Sequence, residues 1–423
     1  MSDRLFYVSA EAGKTPPFLR FAGERLRNFL VPKPQDVVTA EVSYVFVLPV
    51  SDTRVFFDEA AMDETSERFF LSHVPMSVRD DVAVGRSILI IDISNEGIYY
   101  SKKLFDSICR WLSSHRMEER RILILNQNRS LGKLFARDFP ESRLVFLDYD
   151  YFIRSVSCLF DPVRFEPFLI QTLRNQDLTL EQYRRPLSPK TSSAFLCLNA
   201  TPRPHRMLFV ALLKEAGLLS STLYTFHGLS NQKGAQFGPE TAVRLAQKLG
   251  FTSVTEAVES FYGWVSSFED RFSERGNDLA MRIDTDVYDR SFASLVTETE
   301  ISDGDMTRVT EKTLKPLFME HPLLVFGNVG SLRIVRDLGF QTFSPYIDES
   351  YDELPSAAQR TAALLRSISR LRDSIESADS AVLGPLQEIA RHNSRFAREC
   401  FSSEYEIKYE FPIVRFLREI SLQ

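Results

Sequence analysis

An alternation constrains this chain most. Short β-branched or aromatic runs, LFYVS (5–9), YVFVLPV (44–50), SILIIDI (87–93), RILILN (121–126) and RLVFLDY (143–149), alternate with stretches of helical periodicity. One such stretch, 99–114, carries Leu104, Ile108, Trp111 and Leu112 at helical spacing, and 131–139 is another. Parallel strands covered on both faces are apolar throughout, so this rhythm is what βαβ units leave in a sequence. The first part of the chain therefore reads as a Rossmann-like domain. A polar, proline-containing passage at 177–193 interrupts the pattern. It resumes with AFLCLNA (194–200), STLYTF (221–226), ASLVTE (293–298) and PLLVFG (322–327), between helical stretches at 206–217, 239–250 and 254–272. A length of 423 residues suits two domains better than one. The expected architecture is α/β: an N-terminal Rossmann-like domain over 1–176, a linker over 177–193, a second Rossmann-like domain over 194–378 and a C-terminal helical segment over 379–423. The tail pattern places a helix break at Gly384-Pro385 and leaves the segment free to cross back to the first domain.

Bulk properties narrow the function. Lys and Arg total 51 against 57 Asp and Glu, a net charge of −6, so no global positive field draws nucleic acid, and only a local basic groove would bring it back. No run reaches the roughly 18 apolar residues of a membrane span, and the N-terminus lacks a signal-peptide pattern, so the expectation is a cytoplasmic protein. Cys109, Cys158, Cys197 and Cys400 form no CxxC pair, and the six histidines show no HxxxH or HxH spacing. Neither disulfides nor a bound metal are expected.

Two phosphate motifs are absent. AEAGKT (10–15) ends in GKT, but Val8 stands where a P-loop needs glycine and Pro16-Pro17 where its helix should run. No GxGxxG follows any strand, which removes the main support for a dinucleotide-dependent dehydrogenase.

The informative segments lie in the second half. In LCLNATPRPHRMLFVALLKEAGLL (196–219) a strand ends at Asn199 and a loop carrying Arg203 and Arg206 leads into a helix. Free backbone N–H groups, a helix dipole and guanidinium groups converge there on any phosphate; the alternative is a solvated loop with incidental arginines. In 294–343, a strand delivers Glu298 to a sheet edge and an acidic loop follows, after which VTEKTLKPLF opens a helix with Thr310 as N-cap and Glu311-Lys312 in its first turn. A lysine there opposes the helix dipole by roughly 0.3–1 kcal/mol, a cost that a bound diphosphate reverses. His205 either touches phosphate or fills the turn, and Tyr224, Phe226 and His227 end a strand where a base could stack or a core could close. His321 reads as structural.

The run from VTE through VTEK to PLLVFG resembles the donor-binding motif of GT-B glycosyltransferases of the α1,3-fucosyltransferase type. NATPRPHRMLFVALLKEAGL and GFQTFSPYIDESYDEL (339–354) are similar to segments of related bacterial and viral glycosyltransferases, so the resemblance covers roughly 194–370. It implies two Rossmann-like domains facing a cleft and a metal-independent transfer from a nucleoside-diphosphate sugar to a glycan or other hydroxyl acceptor, with no cofactor and inversion at the anomeric carbon. By the same resemblance Lys312 contacts the diphosphate, Glu311 the ribose hydroxyls, Arg203 and Arg206 the phosphates, and Glu298 lies near the donor sugar. Pro355 and the long acidic loop between the two TE motifs depart from the pattern.

An inverting transferase also needs a base in the facing domain. The turn after SILIIDI offers Glu96, with Asp92, Asp148 and Asp150 as competitors; the alternative for Glu96 is a capping or solvated carboxylate. Three rival readings remain: a phage-type DNA-base glycosyltransferase, a catalytically silent nucleotide- or protein-binding protein of the same fold, and a sugar-nucleotide epimerase.

Overall fold

A computed structural model describes residues 4–33, 43–50, 62–157, 185, 191–199, 201–226, 238–259 and 283–421. Most of the passage 177–193, the helical stretch beyond 259, Cys158 and His227 therefore lie outside the described residues.

Among the described residues, ten strands form two wholly parallel sheets. The first comprises β1 (Leu5–Ser9), β2 (Leu30–Pro32), β3 (Tyr44–Pro49), β4 (Ser87–Ile93), β5 (Ile122–Asn126) and β6 (Val145–Asp148), in the order β2-β1-β3-β4-β5-β6. The second comprises β7 (Ser193–Asn199), β8 (Thr222–Phe226), β9 (Ser291–Thr297) and β10 (Leu323–Phe326), in the order β10-β9-β7-β8. Every residue of β4, β5 and β9 is buried, which is why these strands read as unbroken apolar runs.

Alternation along the first sheet splits its core in two. Val45, Val47, Ile88, Ile90, Leu123 and Leu125 face a core shared with the second half and the C-terminal helices, whereas Phe46, Leu89, Ile91 and Ile124 face Trp111 and Phe135 of the outer helices. Helix Lys102–Ser114 supplies Leu104, Phe105, Ile108, Trp111 and Leu112 to that outer layer and starts where Ser101 accepts a hydrogen bond from the Leu104 N–H at 3.3 Å.

The tail is helical, as the sequence suggests, but its break is elsewhere. Helices Ala357–Glu376 and Ser380–Glu399 part at 377–379, where Ala378 takes a left-handed φ of 54° and Asp379 caps the second helix through the Ala381 N–H. The second helix runs through Pro385: a proline this close to the start removes one N–H and leaves the later hydrogen-bond ladder intact. Beyond it, Phe401–Tyr405, a π-helical turn at Glu406–Glu410 and Phe411–Ser421 return to the first half. There the Tyr405 hydroxyl accepts from the Asp150 N–H at 2.9 Å, and buried Arg154 pairs with Glu406 and Glu410, each at 3.1 Å. Among the described residues the whole is an α/β chain with two parallel sheets and a helical C-terminal segment.

Candidate active site

The order of the second sheet reverses between β7 and β9, since β8 lies to one side of β7 and β9 and β10 to the other. Open α/β sheets bind ligands outside the carboxyl ends of their strands at such a reversal. Here the segment after β7 carries Arg203 and Arg206, and the segment after β9 carries Glu298 and Glu300. Pro204 opens helix Pro204–Glu215 at the first position, where its missing N–H costs nothing.

Glu298 is the brace of this edge. Only 1% exposed, it accepts from the Thr310 N–H at 2.9 Å, the Thr310 hydroxyl at 2.7 Å, the Thr313 hydroxyl and the Thr299 N–H. With both oxygens engaged it fixes the start of helix Glu311–Phe318, whereas the resemblance would set it beside a sugar. Gly327 makes room for it: a Cβ there would lie 3.1 Å from the Glu298 Cβ. His205 is also taken up internally, its Nε2 lying 2.8 Å from the Glu298 carbonyl, and burial together with neighbouring Arg206 pushes it down to about 3, so its ring is neutral.

The cations are held differently. Arg206, 3% exposed, donates among the described residues only to the carbonyls of Thr201 at 3.2 Å and Glu298 at 3.3 Å, and its Nε has no partner there. Burial first, then the adjacent Arg203, pushes it down to about 10. Arg203 donates to the Thr299 carbonyl at 3.0 Å. Among the described residues neither guanidinium has a carboxylate within ion-pair distance. Lys312, in the first turn of helix Glu311–Phe318, lies 2.7 Å from Glu311. Burial opposes the Glu311 charge, but Lys312 and Lys315 outweigh it and hold the carboxyl below its ordinary range.

The first sheet meets this edge through a strap, 305–308, bound to the loop after β5. Asn128 donates to the Asp305 carbonyl and accepts from the Thr307 N–H, both at 2.9 Å, and the Ser130 hydroxyl donates to that of Thr307 at 2.8 Å. Arg308 grips Glu300 with two hydrogen bonds, 2.6 and 2.9 Å, and donates a third, 2.6 Å, to Gln127. Burial opposes the Glu300 charge, yet Arg308 and Arg203 hold that carboxyl down at about 2.

Glu96 stands in the turn after β4, beside this pair. A Cβ on Gly97 would come within 2.7 Å of the Arg308 Nη1, so the turn needs glycine because the guanidinium lies against it. Glu96 is half-buried; burial pushes its carboxyl above the ordinary range, opposed by Arg308, Arg203 and Lys312. The structure thus brings Glu96 into the field of Arg203 and Lys312.

Its competitors are occupied elsewhere. Asp92 accepts from the Phe18 and Ser94 N–H groups, both at 3.1 Å, and burial lifts it to about 6. Asp150 caps the Ile153 N–H at 2.9 Å, and Asp148 lies 4.0 Å from Arg129. Tyr224 is half-buried on β8. His321 is buried, its ring nitrogens near the Ser294 hydroxyl at 3.1 Å and the Tyr288 carbonyl at 2.6 Å, as a structural histidine would be.

Among the described residues, the buried polar atoms without hydrogen-bond partners include Ser94 Oγ, Asn95 Oδ1 and Asn126 Oδ1 after β4 and at the end of β5, Arg206 Nε after β7 and Asn328 Oδ1 after β10, with others away from these edges. Each such atom costs about 1–3 kcal/mol unless something satisfies it. Glu300, Arg308, Gln127 and Asn128 were not singled out by sequence reasoning. The only signal available was the acidic loop itself, since the pairing spans 181 positions from Gln127 to Arg308.

Among the described residues no three His, Cys, Asp or Glu side chains form a metal-binding group, and no helix is long and apolar enough to cross a membrane. No protein-family model and no curated protein matches the chain, so the resemblance to fucosyltransferase-type donor domains rests on its quoted residues alone. The crystal structure of an α,α-trehalose 6-phosphate synthase from Burkholderia multivorans aligns over 98% of this chain and 97% of its own, with a TM-score of 0.38 and 11% identity, a likeness too slight to build on.

Proposed function

We propose that the chain is a glycosyltransferase that moves a sugar from a nucleoside-diphosphate sugar to a hydroxyl of a glycan or similar acceptor. One observation carries the reading: among the described residues Arg203 and Arg206 have no carboxylate at ion-pair distance, at the strand-order reversal, next to the Lys312 helix start and in the field of Glu96. Burial of the Arg206 guanidinium with no carboxylate at ion-pair distance among the described residues is costly, and an anionic ligand offsets that cost.

Glu96, its affinity for protons raised by burial, takes the proton of the acceptor hydroxyl. The acceptor oxygen attacks the anomeric carbon from the face opposite the diphosphate and inverts that centre. The bond from the anomeric carbon to the diphosphate oxygen breaks, its electron pair leaves with the diphosphate, and Arg203, Arg206 and Lys312 meet the growing charge. Glu311 takes the ribose hydroxyls. Glu298 acts through others, by fixing the helix that carries Glu311 and Lys312.

A thermal-shift screen against UDP, GDP, CMP, dTDP and their sugar conjugates, with and without EDTA, tests this. A nucleotide at 100 times its Kd stabilises the fold by about 2.7 kcal/mol. Stabilisation by one nucleotide family, unchanged by EDTA, is the expected result; no response to any nucleotide would refute the reading and favour a silent scaffold.

A further inference from the structure

On the far side of the strap lies a second cavity, of about 600 Å³, walled by both halves and by the returning tail. We infer that it is a separate binding site for a small phosphorylated organic molecule. The inference does not rest on the donor reading. Thr307 faces this cavity, while the next residue, Arg308, turns to Gln127 and Glu300 on the side of Glu96, so the strap divides the two spaces.

Charge and shape define the ligand class. Arg129, Lys133, Arg333 and Lys408 line the cavity against two carboxylates, Asp148 and Asp337. The cations outnumber the carboxylates: Asp148 pairs loosely with Arg129 at 4.0 Å, and Lys408 donates to the backbone carbonyl of Asp337 rather than to its carboxylate. Arg129 is pre-positioned, its side chain 14% exposed and donating to the Tyr409 hydroxyl at 2.6 Å. Gly132 and Lys133 line the wall in the first turn of helix Leu131–Asp138, an end whose dipole favours an anion. Cations contributed by the first half, the second half and the tail suit a phosphate better than a cation or a neutral ligand. The volume exceeds that of inorganic phosphate and falls in the range of organic ligand sites, and Phe146, Tyr409 and Pro412 offer an apolar wall for the rest of such a molecule. Its occupant would touch residues 129–133 of the first half and Arg333 of the second at once.

Isothermal titration of the full chain with inorganic pyrophosphate tests the assignment. Lys133 and Arg333 are exposed, so Lys133→Glu with Arg333→Glu reverses two charges without disturbing the core. Pyrophosphate binding to this cavity is expected to weaken at least tenfold in that double variant and to persist in Lys312→Ala, which alters only the proposed donor site. Unchanged binding in the double variant, abolition by Lys312→Ala, or no binding to wild type at millimolar pyrophosphate would each overturn it. The donor reading stands or falls separately, on nucleotide binding.

Discussion

The two sheets meet at their carboxyl edges, and the charged groups of the two edges are partnered differently. The first offers carboxylates and amides, namely Glu96, Gln127 and Asn128. The second offers cations, and these divide again. Arg308 is saturated by Glu300 and Gln127, whereas Arg203 and Arg206 donate only to carbonyls. The difference teaches which groups hold the halves together and which are left for a ligand. Removing one partner of a saturated pair strands the other charge and is strongly destabilising, whereas a cation bonded only to carbonyls keeps the capacity to take an anion.

That contrast can be broken first at Arg308. Arg308→Ala strands a buried Glu300 and is expected to lower stability by about 3–5 kcal/mol in urea unfolding. A variant that unfolds like wild type would erase the distinction between the two kinds of arginine. Glu96→Gln should lower turnover by roughly 10²–10⁴ while nucleotide affinity holds, as titration calorimetry against steady-state rates would reveal. Because the base must be ionised, wild-type turnover should fall as pH drops through the raised Glu96 pKa, and this limb should vanish in the variant. Gly97→Ala sharpens the comparison where the two edges touch. The added methyl meets a guanidinium pinned by Glu300 and Gln127, so a loss of about 1–3 kcal/mol is expected, measured by chemical denaturation.

The smallest effect concerns a carboxylate of the first half. Burial lifts Asp150 to about 7, so the folded chain keeps a proton that the unfolded chain releases near pH 4. Its contribution to stability is full below about pH 4 and is lost as pH rises through 7. Asp150→Asn keeps an oxygen for the Ile153 N–H and should flatten that decline, adding at least about 1 kcal/mol at pH 8 relative to wild type and less at pH 5. Equal gains at both pH values would show that the carboxyl does not titrate in this window.

Much of the fold was legible because burial on both faces leaves a plain trace. SILIIDI is β4 to the residue, and Thr310 caps helix Glu311–Phe318 as the pattern VTEK suggests. The tail break at Ala378 was not legible, because a left-handed turn at alanine gives a weaker signal than Gly384-Pro385. At the site, local sequence delivers Arg203, Arg206 and Lys312 to a strand end, and the turn after β4 delivers Glu96. What local sequence cannot deliver is partnership. That Glu298 is consumed by Thr310 and Thr313, and that Arg308 spends itself on Glu300 and Gln127, depends on contacts across loops and across the two halves.

Titration of a nucleoside diphosphate into wild type, Lys312→Ala and Glu96→Gln, by calorimetry, tests the division of labour between the edges most directly. The expected result is binding weakened by about 1.5–3 kcal/mol in Lys312→Ala and unchanged in Glu96→Gln. Equal affinity in wild type and Lys312→Ala, or loss of binding in Glu96→Gln alone, would contradict it.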